Sequence, residues 1–283
     1  MENKDFCIFI LTHGRPDRQV TYKTLIKGGY EWPLFFVVDN EDKTVGDLKK
    51  KFGDQVIVFD KAEIAGRIDE GINFGDRRTI LYARNACFEI AEKLWYKYFL
   101  ELDDDYTGWQ YRFDNKKEYS TKRVISLAKV IYKTLEYYKS INAVSLAFMQ
   151  GGDIIWGKDS DKVDNIKLFR KCMNTFFCCT DRPFRFCWRV NEDVNTYTSV
   201  QSRWPLFLSI NNVTMSQVAT QSSSGGMTEI YIDSGTYVKS FYSVMYCPSC
   251  VKVKMLITKH RRLHHAIAWD NAVPKILSEI CKK

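Results

Sequence analysis

Three short apolar runs, each followed by a turn or a helical stretch, narrow the folds open to this chain. Phe6-Cys-Ile-Phe-Ile-Leu-Thr12 is almost wholly apolar, Leu34-Phe-Phe-Val-Val38 is wholly so, and Val56-Ile-Val-Phe59 repeats the pattern. Apolar runs without polar alternation suit strands covered on both faces, as in a parallel sheet. Gly14-Arg15-Pro16 breaks the first run, a helix is expected over Arg18 to Lys27, and Gly28-Gly29 stops it. Asp39-Asn40 ends the second run. Strand–helix–strand rhythm of this kind implies an α/β, doubly wound sheet.

The rest of the chain extends the pattern. A long helix is expected over about Arg77 to Tyr98, with Ile80, Cys87, Ala91, Leu94 and Tyr98 as its apolar stripe and Arg84 on that same stripe. Phe99-Leu-Glu-Leu-Asp-Asp-Asp105 reads as a strand running into three carboxylates. A further helix is expected over about Thr121 to Lys139 and a strand over Ala143 to Phe148. From Pro205 the signals turn β-rich. Gly235 to Ile257 reads as two strands around a tight hairpin turn at Cys247-Pro-Ser-Cys250, and Pro274 to Ile280 as a terminal helix. With 283 residues and no low-complexity linker, one domain is expected. No apolar run approaches the roughly 18 residues of a membrane span. The N-terminus lacks the basic region of a signal peptide, and nine cysteines in no regular framework suit a reduced, cytoplasmic setting. Cys247 and Cys250 have no second pair at zinc spacing.

Asp103-Asp104-Asp105 is the strongest chemical signal. Three acids at the carboxyl end of a buried strand repel one another unless solvated or neutralised, and ligands of open α/β sheets bind at that end. Carboxylate oxygens are hard ligands for Mg²⁺ or Mn²⁺, either of which can also hold a diphosphate. Thr12-His13-Gly14-Arg15-Pro16 and Asp39 follow the first two strands, on the same sheet edge. The loop is either a nucleotide cradle or an ordinary turn, and Asp39 either accepts from a base or ribose or caps a turn. Arg84 either pairs with an acid of the fold or reaches a bound phosphate. Glu192-Asp193 is either a general base or a surface pair at a helix start. His260-Arg-Arg-Leu-His264-His265 holds three of the four histidines, and is either a metal and phosphate site or a solvated basic face. The formal net charge of +8 favours an anionic partner, a nucleotide or nucleic acid.

In this order the residues resemble the GT-A glycosyltransferases: Thr-His-Gly-Arg-Pro after the first strand, Asp39 after the second, Arg84-Asn85 on the helix before Leu102-Asp-Asp-Asp105. The tail His264-His265-x-x-x-Trp269-x-Asn271-Ala-Val-Pro-Lys-Ile276 is similar to that of phage DNA-base-modifying glycosyltransferases, the TET/JBP-associated group, and the likeness spans about residues 6 to 280. The resemblance implies a GT-A-like mixed sheet with a β-rich C-terminal part. Residues 1–150 would form the nucleotide-binding half and 151–283 the acceptor-binding half. It implies that Thr12, Arg15 and Asp39 hold uridine, that Arg84 and Asn85 approach the nucleotide with Asp103 and Asp104 beside it, and that Asp105, with Asp103, binds Mn²⁺ or Mg²⁺. His264 or His265 would join the metal, and Asp193 of the Glu192-Asp193 pair would be the base. The implied reaction moves a sugar, glucose or arabinose, from a UDP-sugar to the hydroxymethyl group of 5-hydroxymethylcytosine in DNA. An acceptor on protein or polysaccharide, a nucleotidyltransferase, and a non-catalytic DNA-binding protein are the alternatives. The aromatic and basic stretches Arg182 to Arg189, Arg203-Trp204 and His260 to His265 are the expected DNA contacts.

Overall fold

The computed structural model describes residues 4–71, 75–116, 118–150, 166–218, 237–257 and 261–281. Strands β1 (Phe6–Leu11), β2 (Leu34–Asp39), β3 (Val56–Phe59) and β4 (Tyr98–Asp103) pair in parallel in the order β3-β2-β1-β4. They are the apolar runs of the sequence. The connections are α1 (Val20–Lys27), α2 (Val45–Phe52), α3 (Lys61–Ala65) and α4 (Leu81–Lys93). Beyond β4 the sheet becomes mixed. β9 (Phe176–Cys179) lies antiparallel between β4 and β7 (Ser145–Gln150), and β10 (Phe207–Gln217) runs parallel to β7. The hairpin β5 (Tyr106–Phe113) and β6 (Tyr119–Arg123) closes that edge, and β8 (Ile166–Lys167) pairs with β10. The expected α/β mixed sheet is the one observed.

Period-two alternation distributes the core. Phe6, Ile8 and Ile10 of β1 pack with Leu25 of α1, Leu48 of α2 and Leu127, Ile131 and Leu135 of α5 (Leu127–Lys139). Cys7, Phe9 and Leu11 face the other way, onto Ile64 of α3, Leu81, Cys87 and Ala91 of α4, and Val194 and Tyr197 of α6 (Glu192–Gln201). Each such side chain contributes about 1.5–3 kcal/mol on full burial, so Phe9→Ala would cost about 3–5 kcal/mol. Gly28 ends α1 where a Cβ would stand 2.5 Å from Leu127 Cβ, which is why this turn needs glycine.

Several boundaries differ from the expected ones. α4 ends at Lys93, not Tyr98, because Trp95 turns left-handed (φ 62°) and Tyr98 is needed opposite Phe6 in the β1–β4 ladder. The helix expected from Thr121 begins at Leu127; Tyr119–Arg123 pairs with β5 instead, and this long-range ladder overrides the local periodicity. The segment expected as two strands around Cys247–Cys250 is a helix, α7 (Val238–Tyr246), then a tight turn closed by Cys250 N–H to Cys247 O (3.0 Å), then a strand. The hairpin is β11 (Val251–Ile257) with β12 (Arg261–Ile267), one element later in the chain. The expected terminal helix is reduced to a single turn, α8 (Trp269–Ala272), and a 3-10 turn at Glu279–Cys281. Pro274 removes one backbone donor from it.

Candidate active site

The site sits where the strand order reverses. β1 leads through α1 outward to β2, whereas β3 leads through α4 back to β4, so the carboxyl ends of β1 and β4 adjoin at a topological switch point. Leu11 lies opposite Asp103 there. The loop after β1 and the acids after β4 are joined by short hydrogen bonds. Thr12 Oγ1 donates to Asp104 Oδ2 (2.6 Å) and Arg15 Nη1 to Asp104 Oδ1 (3.0 Å). Gln19 Nε2 donates to Thr12 Oγ1 (2.9 Å), and the first amides of α1, Val20 and Thr21, donate to the carbonyl of Asp104. Thr21 Oγ1 donates to Asp103 O (2.5 Å) and accepts from Tyr106 N–H (2.8 Å). The acidic turn is therefore clamped to the start of α1.

β2 supplies the other wall. Asp39 accepts from His13 Nδ1 (2.8 Å) and from the ammonium of buried Lys61 (2.9 Å). Gly14, at φ 68° where glycine is at ease, donates its N–H to Asp42 Oδ2 (2.7 Å). Burial pushes Asp39 up, but the hydrogen bonds from His13 and Lys61 outweigh it and hold the carboxyl below the usual range. The same hydrogen bond raises His13.

Alternation along β4 puts Glu101 and Asp103 on the α4 side, and Arg84 reaches them from that helix. Arg84 Nη1 stands 3.5 Å from Glu101 Oε2, Nη2 donates to Asp103 Oδ1 (3.0 Å), and Nε donates to Glu192 Oε1 (3.2 Å). The guanidinium lies 4.9 Å from the Phe176 ring and is almost wholly buried. Arg84 and Glu192 are 108 positions apart in sequence, so one side chain ties the acids of β4 to the start of α6. One cation faces three carboxylates here, and burial together with the excess negative charge raises Glu101 and Glu192. Burial, then the charge of Asp103, helps push Glu101 to about 8 against the pull of Arg84. Burial, then Asp103 and Asp104, pushes Asp105 to about 7. Burial raises Asp104, Glu192 and Asp193 as well. Glu101 Oε1 is buried with no hydrogen-bond partner of normal geometry among the described residues.

Glu192 and Asp193 open α6, where the helix dipole favours carboxylates. Their cap, Asn191, is left-handed (φ 56°), and its amide donates to Lys239 O (2.7 Å) and Ser243 Oγ (3.1 Å) of α7. The same amide lies 3.5 Å from His265 Nδ1 of β12.

The sequence profile of the TET-Associated Glycosyltransferase family matches residues 6–226. The chain belongs to this family. As a TET-associated glycosyltransferase it is an enzyme that transfers sugars, which sets aside the nucleotidyltransferase and non-catalytic readings. No curated protein matches its sequence. Among solved structures it is similar to glucosyl-3-phosphoglycerate synthase from Mycobacterium tuberculosis in complex with Mg²⁺ and uridine diphosphate, at 8% identity, TM-score 0.47 and coverage of 94% and 88% of the two chains. It is also similar to a protein from Desulfovibrio desulfuricans G20 classed with the nucleotide-diphospho-sugar transferases, at 10% identity, TM-score 0.36 and 67% of each chain.

In this glycosyltransferase the fold brings Thr12, Arg15, Asp103 and Asp104 together, with Asp105 next in line. It joins Glu192 to them through Arg84, and it places Asp39 across the first loop. Asn85 spends its amide on the Leu81 and Phe186 carbonyls and the Phe186 N–H, so it fixes a backbone segment beside the site. His264 and His265 lie on β12, and His264 Nδ1 meets the carbonyl of His265 (2.8 Å). Among the described residues no three His, Cys, Asp or Glu side chains are assembled as a ligand set, so neither the two histidines with the aspartates nor Cys247 with Cys250 forms one. His260 lies outside the described residues. Of the expected DNA contacts, Arg182 donates to Ile141 O, Arg185 to Arg67 O (2.8 Å), and Arg189 pairs with Asp76 (2.9 Å), while Phe184 and Phe186 are core. Trp188 stacks on Tyr246 at 3.8 Å. That stretch is largely spent on the fold, whereas Arg203-Trp204 is exposed. Sequence reading passed over Glu101, Asp42 and Lys61, and named His13 only as part of the first loop. For Glu101 the signal was present, a lone acid two residues before Asp103 in an apolar strand. No helix among the described residues is long and apolar enough to cross a membrane.

Proposed function

We propose that this glycosyltransferase moves a sugar from a UDP-sugar to the hydroxymethyl group of 5-hydroxymethylcytosine in DNA, with Mn²⁺ or Mg²⁺ as cofactor. The observation that carries the reading is the Arg84 bridge. It sets the acids of the switch point, a donor and metal site in chemistry, directly beside the Glu192–Asp193 end of α6, a proton acceptor in chemistry. In this reading residues 1–150 form the nucleotide half and 151–283 the acceptor half.

Asp39, held by His13 and Lys61, accepts from the uracil or ribose, and Thr12 and Arg15 shape the floor beneath the nucleotide. Asp105 and Asp103 hold the cation. The residues fit one: Asp105 is raised by burial and then by the neighbouring carboxylates Asp103 and Asp104, and a divalent ion relieves that repulsion. His265, whose buried Nε2 has no hydrogen-bond partner among the described residues and whose ring burial holds neutral, lies beside Asn191 at the start of α6, so it belongs with the Glu192–Asp193 end and not with the aspartates. When bound, the ion screens the charge that develops on the leaving diphosphate. Arg84 keeps Asp103 and Glu192 in fixed orientation while Glu192 takes up part of its charge. Asp193, made more basic by burial, accepts the hydroxymethyl proton as the glycosidic bond forms. Asn85, through Phe186, holds the wall against which the nucleotide-side residues pack.

Release of UDP from UDP-glucose and UDP-arabinose tests the reading. It should require Mn²⁺ or Mg²⁺ and should rise when hydroxymethylated DNA is added. Release that ignores both additions would refute it.

A further inference from the structure

The C-terminal hairpin is built unlike the rest of the surface. From Tyr237 to Ala268 the sequence holds six Lys or Arg and no Asp or Glu, so this stretch accounts for six of the eight net positive charges of the chain. In the structure it is α7 followed by the two-stranded antiparallel ribbon β11–β12, which stands apart from the main sheet. Lys252, Lys254 and Arg261 are exposed and make no ion pair among the described residues. Register puts Lys254 opposite His264 on one face of the ribbon. On the other face Met255 lies opposite Leu263, and both are exposed together with Ile257 (53%, 37% and 71%). Val251 and His265 are buried where the ribbon meets the body of the protein.

An uncovered apolar tip on a ribbon of one charge sign asks for an occupant. A second copy of the chain would set like charges against each other, which disfavours it. A nucleic-acid duplex supplies the opposite charge. A two-stranded ribbon also matches one of the elements that the major groove of B-form DNA admits. The C5 substituent of a pyrimidine lies in that groove, and Asn191 ties the ribbon's β12 and α7 to the start of α6, where Glu192 and Asp193 stand.

We propose that the β11–β12 ribbon enters the major groove of the acceptor duplex, with Lys252, Lys254 and Arg261 on phosphates and the Met255–Leu263 pair toward the base edges. This rests on the reading of the acceptor as DNA. It moves the main DNA contact away from the Arg182 to Arg189 stretch and onto the ribbon.

The test measures binding of the full chain to a hydroxymethylated DNA duplex by fluorescence anisotropy across a salt series. Each phosphate contact adds about 0.9 to the slope of log affinity against log salt, or roughly eightfold in affinity at 0.1 M salt. Lys252→Glu/Lys254→Glu should therefore lower the slope by about two and the affinity by about sixtyfold or more. Lys49→Glu/Lys50→Glu, an equal charge change on exposed α2, should leave both nearly unchanged. Leu263→Asp should weaken DNA binding at an unaltered thermal midpoint. An RNA duplex of the same sequence, whose deep, narrow major groove excludes a ribbon, should bind more weakly and lose little on Leu263→Asp. The proposal is overturned if the ribbon variants bind DNA like the α2 control while wild type binds and modifies it. Equal binding of RNA with the same losses, or a ribbon-dependent dimer in sedimentation, overturns it too. If wild type neither binds nor modifies any DNA, it is the DNA reading itself that fails.

Discussion

Removing the Arg84 guanidinium is the sharpest perturbation of the site. Arg84→Ala leaves Glu101, Asp103 and Glu192 facing one another with no cation, two of them in a dry interior. Breaking a buried ion pair in this way costs about 3–5 kcal/mol. For a chain of this size class each kcal/mol lowers Tm by about 2–4 °C, so a fall of about 10 °C is expected. The loss depends on pH. In the wild type Glu101 already stands at about 8 in the folded chain, well above the ordinary carboxylate value, and loss of Arg84 raises it further. A carboxyl raised on folding lends stability that is present below its unfolded pKa and is lost as pH rises toward the folded one. Below about pH 8 Glu101 is protonated in both folded proteins, so its part of the gap between wild type and Arg84→Ala should stay constant up to about pH 8 and widen above it. Arg84→Lys keeps the charge but cannot span three carboxylates, and should fall between the two. Thermal unfolding at pH 6, 7.5 and 9 measures this, with UDP binding as a second readout. A Tm unchanged at pH 9, or a larger loss at pH 6 than at pH 9, would refute the reasoning.

Other consequences are as direct. Asp105→Asn, or excess chelator on the wild type, should abolish transfer, and full turnover in chelator would remove the metal from the scheme. Asp193→Asn should lower kcat by about 10²–10⁴ while the Kd for UDP holds, because a positioned base acts on the acceptor and not on the donor; a near-normal kcat would point to another base. Asp39→Ala should weaken UDP binding in calorimetry, but it also strands the buried ammonium of Lys61 and should cost stability. Asp39→Asn, which keeps an acceptor for Lys61, is therefore the cleaner probe, and unchanged UDP affinity in it would take Asp39 out of the site.

The first half of the chain was legible because its code is local. Apolar runs at β1 to β4 and acids at a strand end are visible in short windows, and a parallel sheet places those ends together. The parts that were not legible depend on distant partners. β9 is four residues long, Phe176–Cys179, and owes its place to pairing with β4 and β7. α7 was read as strand because it is rich in aromatic and β-branched residues. Its inward side chains are Ser240 and Ser243, while Phe241 and Met245 face solvent, the reverse of an ordinary amphipathic helix. Its seat is set by Asn191, which no local pattern predicts. For Arg84 the apolar stripe showed that a partner was required; only the fold shows that three carboxylates answer, one of them Glu192. The same contact closes the long sequence gap between the aspartates and the Glu192–Asp193 pair.

The most direct measurement is mass spectrometry of nucleosides digested from DNA after incubation with the enzyme, Mn²⁺ and either UDP-glucose or UDP-arabinose. Duplexes carrying cytosine or 5-hydroxymethylcytosine serve as acceptors, alongside protein and glycan acceptors. A hexose or pentose should appear on the hydroxymethylated base alone. Transfer to a protein or glycan, with none to either duplex, would contradict the assignment of DNA as the acceptor.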